Sequence, residues 1–346
     1  MDNIKDSLFI RACYGKHVER HPVWFMRQAG RYLPEYSKIK GARNVLDVQS
    51  DPLASSEITV LPVDKLGVDA AILYADIMIP IRAAGLGVRI EENIGPVMDF
   101  AVGEPDDLAP LERFSCDRDA PYVLENIVRT KEKLAGRVPL IGFAAGPFTL
   151  LSYLLEGRPS RTFDRCRAII QDDPDLWSRF MDMAASMTIR YLRSQVRTGV
   201  DAVQIFDSWA GFLEPEVYRK HVLEHTKRIV DEIKGIVPII HFSARSSGIM
   251  RDLRELDCEV ISIGPDVELK LARSALGNGK SLQGNLDPSM AVRGGAEMLA
   301  RTDSILDEMD GVDGFVFNLG HGVAKDTPPE NLMKIVERVK ARPAHQ

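Results

Sequence analysis

Arg27 and Arg31 stand four residues apart, directly after the apolar run Val23-Trp24-Phe25-Met26. Two guanidiniums aimed at one place grip carboxylates or phosphates in a forked geometry that lysine cannot copy. Gly30, between them, is expected to let the backbone turn there. Four further stretches hold side chains with chemical capacity. Ala70-Ala71-Ile72-Leu73-Tyr74-Ala75-Asp76 is an apolar run ending in a carboxylate, and a buried carboxylate demands a cationic or N–H partner. Gly142-Phe143-Ala144-Ala145-Gly146-Pro147-Phe148-Thr149 leads to Tyr153. Phe206-Asp207-Ser208-Trp209 places an acid and a hydroxyl side by side, and Asn318-Leu319-Gly320-His321-Gly322 sets a histidine between glycines. Together they read as a basic clamp for a polyanion, with an acid, a phenol, a hydroxyl and an imidazole around it.

The elements that must position these groups follow from a repeat. Gly67-Val68-Asp69, Gly199-Val200-Asp201 and Gly311-Val312-Asp313 each precede an apolar run. Before the second lies a long amphipathic stretch, 176–197, with Gly199 as its helix-ending residue. Helix, glycine, aspartate, strand is an αβ unit, and recurring αβ units imply a parallel sheet. Eight short apolar runs are predicted strands: 23–26, 70–74, 140–144, 202–206, 238–242, 259–263, 281–284 and 314–318. Helices such as 122–134 and 216–233 fit between them. Thr327-Pro328-Pro329-Glu330 reads as a capping box opening the last helix. Eight such units in 346 residues point to an α/β protein, a single (β/α)8 TIM barrel spanning residues 1–346. The glycine-bearing segment 79–99 reads as a hairpin inserted after the second strand. No Gly-rich dinucleotide fingerprint follows an early strand. In such barrels chemistry sits at the C-terminal ends of the strands, where every group named above falls.

Composition narrows the function classes. A formal net charge of −6 argues against nucleic-acid or membrane binding, so an anion site must be locally basic on an acidic body. The four cysteines (Cys13, Cys116, Cys166, Cys258) form no CxxC pair and are expected as free thiols. The N-terminus lacks a signal-peptide layout, no apolar run approaches bilayer length, and a cytoplasmic location is expected.

With these motifs in place the chain resembles the uroporphyrinogen decarboxylase family. The run Pro22 to Tyr36 is similar to that family's first signature, and Gly142 to Leu150 with Tyr153, Glu156 and Gly157 to its second. Gln283-Gly284-Asn285-Leu286-Asp287-Pro288 and Asn318-Leu319-Gly320-His321-Gly322 through Glu330 extend the match over about residues 5 to 340. The resemblance implies a (β/α)8 barrel, a homodimer, and a small-molecule substrate, uroporphyrinogen III, whose acetate arms are decarboxylated without cofactor or metal. It implies Asp76 as the acid that accepts pyrrole N–H groups and stabilises a cationic ring, and Arg27 as proton donor or acetate anchor. It implies that Gln28, Ala29 and Gly30 line the same turn, and that Arg31, Tyr153, Ser208 and His321 hold the carboxylate arms.

The chain departs from the family at Ser262-Ile263-Gly264-Pro265-Asp266, at His241-Phe242-Ser243-Ala244-Arg245-Ser246 and at Lys40. Two other readings stand beside the main one. A zinc-dependent corrinoid methyltransferase of the same superfamily would use a His-x-Cys pair, but here His241 is followed by Ser243. A non-catalytic tetrapyrrole-binding barrel would keep the arginines and shed Asp76.

Overall fold

The computed structural model describes residues 4–91 and 93–345. Seven parallel strands form one sheet: β1 (Ala71–Ile72), β4 (Leu140–Ala145), β5 (Ala202–Phe206), β6 (Ile239–Phe242), β7 (Val260–Ser262), β8 (Ser281–Leu286) and β9 (Phe315–Leu319), in that order. The remaining two, β2 (Val88–Glu91) and β3 (Gly95–Met98), pair antiparallel with each other. Helices follow the parallel strands, among them Pro121–Leu134, Pro147–Glu156, Pro174–Thr198, Gly295–Glu308 and Pro329–Lys340. The strands β4 to β9 are buried on both faces, as parallel sheets require, mostly as apolar runs, with β8 the polar exception through Ser281, Gln283 and Asn285.

Four expectations need correction. The run 23–26 is not a strand: only Val23 bridges, parallel to Phe317. Trp24 N–H donates to Phe317 O at 3.3 Å, Phe317 N–H to Pro22 O at 2.8 Å, and Asp69 N–H to Val23 O at 2.8 Å, so this segment lies between β9 and the start of β1. The segment after the second strand begins with a helix, Ile79–Ala83, before the antiparallel pair. The predicted helix 216–233 is two, Pro215–His221 and Leu223–Asp231. Thr327 is not a cap: Pro328 occupies that position, and the Thr327 hydroxyl is buried without a partner.

The Gly-Val-Asp repeat has a structural cause at two of its three sites. Asp69 accepts Val23 N–H at 2.9 Å, and Asp201 accepts Leu140 N–H at 2.8 Å. Each carboxylate reaches back to the first N–H of the preceding segment, while Asp201 N–H donates in return to Leu140 O. Arg20 pairs with Asp69 and Lys131 with Asp201. Glu259 does the same for Ile239 N–H at 2.8 Å without belonging to the repeat. Asp313 instead faces His17 and His345. Asp201→Ala leaves the Leu140 N–H and the Lys131 ammonium without their acceptor. The expected loss is about 1–3 kcal/mol in a denaturant titration, with KM unchanged because the change lies at the N-terminal ends of the strands.

Candidate active site

The C-terminal strand ends gather most of the groups singled out in the sequence. Arg27 follows Met26, whose N–H is held by Asn318 Oδ1 at 3.1 Å and whose carbonyl accepts Val323 N–H at 2.8 Å. The left-handed residue of this turn is Arg27 itself, at φ 58°, and not Gly30, where a Cβ would meet its neighbours at ordinary contact distance. A non-glycine residue held at positive φ is strained, and such strain persists where the surroundings over-determine it. Gly322 shows how: a Cβ there would stand 2.6 Å from Arg27 Cδ, so the arginine stem lies flat on that glycine. The Arg27 and Arg31 side chains are exposed.

Gln28 takes part in the turn through its buried side chain. Its side chain is wholly buried, donating to Ala70 O at 2.9 Å and accepting Phe25 N–H at 3.1 Å, while its carbonyl accepts the Tyr32 hydroxyl. The amide ties the arginine turn to the start of β1 and leaves only backbone for the cleft. Ala29 and Gly30 are half-buried beside it.

Asp76 lies four residues beyond β1, half-buried, with Oδ1 accepting Met78 N–H at 2.9 Å. Burial pushes its carboxyl above the usual range, against the pull of the Met78 N–H and of the Arg27 guanidinium. Tyr153 is held on helix Pro147–Glu156. Burial raises its phenol, countered by a hydrogen bond with Trp209 and by Arg27, while Asp76 adds to the rise. His321 is exposed to the cleft yet enclosed enough that desolvation, with Arg27 beside it, lowers its pKa to about 4. Arg27 is thus the common electrostatic neighbour of Asp76, Tyr153 and His321. Arg31 and Asp76 both act on Tyr74, whose hydroxyl meets that of Tyr36 at 2.8 Å. Ser208 follows the buried Asp207 and is half-buried at the end of β5.

His321 Nδ1 accepts Gly322 N–H at 2.8 Å, which leaves Nε2 as the protonated, donating nitrogen of a neutral ring. A histidine pKa lowered from 6.5 to about 4 means the unfolded chain binds a proton that the folded chain refuses between those values. This contribution to stability is therefore full above pH 6.5 and falls as pH drops through that window. An NMR titration of the His321 ring in the free protein is expected to show a midpoint below 5, rising by roughly 1–3 units when a polyanion occupies the cleft.

Sequence reasoning missed the apolar floor. Phe143, Phe206, Phe242 and His321 form a run of edge contacts with ring centroids 5.4, 6.0 and 5.8 Å apart. Registry explains it: Phe206 pairs with Phe242 on adjacent strands, so both point to the same side. A polar network includes Gln204 and Ser262, which share that side: Trp24 Nε1 donates to Gln283 Oε1 at 2.9 Å, and Gln283 Nε2 donates to Gln204 Oε1 and Ser262 Oγ. The only advance signal was the two-residue spacing of Gln204 and Phe206. The departure loop 264–267 is fastened by Asn285 Nδ2 to Gly264 O and Val267 O, and Pro265 fills the space a Cβ on Gly320 would need, one residue before His321.

The uroporphyrinogen decarboxylase (URO-D) family model matches residues 4–342. The chain belongs to the uroporphyrinogen decarboxylase family. It is 42% identical over 338 residues to a uroporphyrinogen decarboxylase from Syntrophotalea carbinolica, covering 97% of each chain. It is 40% identical to one from Thermus thermophilus, covering 98% of this chain and 99% of that one. Among solved structures, a methyltransferase from Methanosarcina mazei superposes with a TM-score of 0.82 at 21% identity, over 97% of this chain and 98% of the other. A B12-independent methionine synthase from Shewanella sp. W3-18-1 gives 0.57 at 12% identity, over 84% and 87%. These two are likenesses of fold. The His-x-Cys pair of the zinc reading is not present, since Ser243 stands where its cysteine would be. His241 is fully buried with both ring nitrogens unpartnered, and the Ser243 hydroxyl is engaged by Gly211 N–H at 2.9 Å, where a thiolate would be needed.

Two features lie away from the cleft. A cavity of about 590 Å³ lies at the opposite ends of the strands, lined in part by Cys13, Glu259, Arg273 and Asp313. Among the described residues, His17, Asp313 and His345 form the one group with metal-ligand spacing, exposed on that same side. Neither contains a residue of the family's signatures quoted above.

Proposed function

We propose that the protein is a cofactor-free carboxy-lyase that converts uroporphyrinogen III to coproporphyrinogen III, removing the carboxyl groups of four acetate arms in turn. The observation that carries this reading is Arg27 in a constrained turn, shared electrostatically by Asp76, Tyr153 and His321 above an aromatic floor. A polyanion with flat apolar rings fits that combination. The family membership supports the same reading.

The chemistry follows from the groups present. A pyrrole carbon takes up a proton and the ring becomes cationic. The bond between the acetate methylene and its carboxylate then breaks, CO2 leaves, and the bonding electrons pass into the ring. A proton added to the methylene carbon and one lost from the ring restore the pyrrole, so acetate becomes methyl. Asp76 has one oxygen engaged by Met78 N–H and the other to accept pyrrole N–H groups, which places negative charge beside the cationic ring. Preorganised charge in a water-poor site is the effect that dominates many enzymes. Arg27 anchors the reacting acetate. An acid as weak as guanidinium is a poor proton donor, so its positive charge is the asset. Arg31, Tyr153, Ser208 and the Nε2–H of His321 hold the other arms.

The scaffold in this reading is a closed (β/α)8 barrel. Segment 22–24 serves as the eighth stave between β9 and β1, and the antiparallel pair β2–β3 is an insertion. A cytoplasmic homodimer is the expected working form, its stoichiometry readable by sedimentation.

The test is anaerobic incubation of purified protein with uroporphyrinogen III and a metal chelator, with products oxidised and separated by carboxylate number. Stepwise conversion to the four-carboxylate product is expected. Undiminished eight-carboxylate substrate, beside an active control enzyme, would sink the proposal and leave binding without turnover as the next reading.

A further inference from the structure

Asp207 is fully buried, and no step above uses it. Its Oδ1 accepts two hydrogen bonds from one residue, Thr149 N–H and Thr149 Oγ1–H, both at 2.8 Å. Thr149 is the third residue of helix Pro147–Glu156, whose own N-cap is Gly146 and offers no side chain. The missing cap acceptor therefore arrives from the end of β5, across 58 residues of sequence. Thr149 Oγ1 in turn accepts Trp209 N–H at 3.0 Å, and Gly146 N–H donates to Phe206 O at 2.8 Å. The packing admits no other fit: a Cβ on Gly146 would fall 2.3 Å from Asp207 Cβ. Burial raises the Asp207 carboxyl to about 6, against the two Thr149 bonds.

The geometry makes one unit of two loops. Thr149 and Tyr153 are four apart, on the same helix face. Ser208 sits between Asp207 and Trp209, whose positions Thr149 fixes from both sides. The Tyr153 and Trp209 rings also meet edge to face, with centroids 6.4 Å apart.

We propose that the Asp207–Thr149 pair is a positioning lock that sets Tyr153 and Ser208 at their mutual distance, and so determines how tightly the carboxylate arms are held. The proposal rests on the assignment of Tyr153 and Ser208 as arm-binding groups. Thr149 and Asp207 act through those side chains and touch no substrate.

The test uses steady-state kinetics of the full-length protein on uroporphyrinogen, with melting temperatures recorded for each variant. Thr149→Val keeps the volume, removes the hydroxyl, and orphans Trp209 N–H. KM is expected to rise roughly five- to ten-fold, the worth of about one hydrogen bond, with kcat within about twofold. Thr149→Ser, which restores the hydroxyl, is expected to return KM to near the wild-type value. Tyr153→Phe and Ser208→Ala each raise KM alone, and Ser208→Ala adds little in the Thr149→Val background, since its group is already displaced. A merely structural role would lower the melting temperature and leave KM and additivity untouched, and that result overturns the lock. Unchanged KM in Tyr153→Phe and Ser208→Ala would overturn the arm-binding assignment and the lock with it. Raised KM in both, with full additivity to Thr149→Val, would overturn the lock alone.

Discussion

Asp76→Asn is expected to lower kcat by roughly 10²–10³-fold while leaving the protein as stable as before or slightly more so. The two halves of this expectation share one cause. Burial lifts the Asp76 carboxyl above its ordinary range, so the folded state binds its proton more readily than the unfolded chain. The ionised group therefore subtracts stability once pH exceeds the unfolded pKa, the penalty growing until pH passes the folded value. A neutral amide of the same shape removes that penalty, and it also removes the negative charge that a cationic pyrrole needs. Met78 N–H retains an acceptor in the asparagine oxygen, so the loop has no reason to move. Stopped anaerobic assays and thermal melts on the same preparation check both halves. A variant that keeps wild-type turnover refutes the role given to Asp76. One that loses turnover and melts far earlier shows a folding defect instead.

Arg27→Ala is the second large effect. A lost charge-assisted hydrogen bond is worth about 1.5–3 kcal/mol, which corresponds to a rise of roughly 10- to 150-fold in KM. Arg27→Lys keeps the charge and loses the fork, and is expected to fall between. The structure supplies a finer version of the same experiment. Gly322→Ala would put a methyl 2.6 Å from Arg27 Cδ and 2.9 Å from Cγ, so the flexible stem must swing away from the cleft. Its KM is expected to lie between wild type and Arg27→Ala although Arg27 is intact. Wild-type kinetics in Gly322→Ala would show that the stem's resting place does not matter.

Much of this was legible in the sequence, for reasons that can be named. Most strands from β4 to β9 are apolar runs bounded by turn residues, and their burial is what made them apolar, whereas β8 carries buried Ser281, Gln283 and Asn285. The first run failed as a strand because backbone pairing stops after Trp24, where Asn318 and Phe25–Gln28 contacts take over and Arg27 turns the chain. Arg27, Asp76 and His321 drew notice because each polar group closes an apolar run, and Tyr153 because it follows the glycine-rich turn after β4. The role of the Gln28 amide was not legible, because its partner, the Ala70 carbonyl, is far from it in the chain. The tie between Asp207 and Thr149 spans residues far apart in the chain, and only the packed structure brings them into contact. The threonine cap expected at Thr327 lost to Pro328, whose extended conformation already starts the helix.

The acids at the two ends of the strands stand at different tasks. Asp69, Asp201 and Glu259 fasten the beginnings of their neighbours, whereas Asp76 and Asp207 work at the finishing ends. Damage to the first set thins the cellular supply of working enzyme without altering what each copy does. Under the proposed function, damage to the second is expected to leave the copies in place and blunt every one of them. A surveyor of natural variants could therefore tell a shortage of enzyme from a poor one by noting only which end of the strands the substitution strikes.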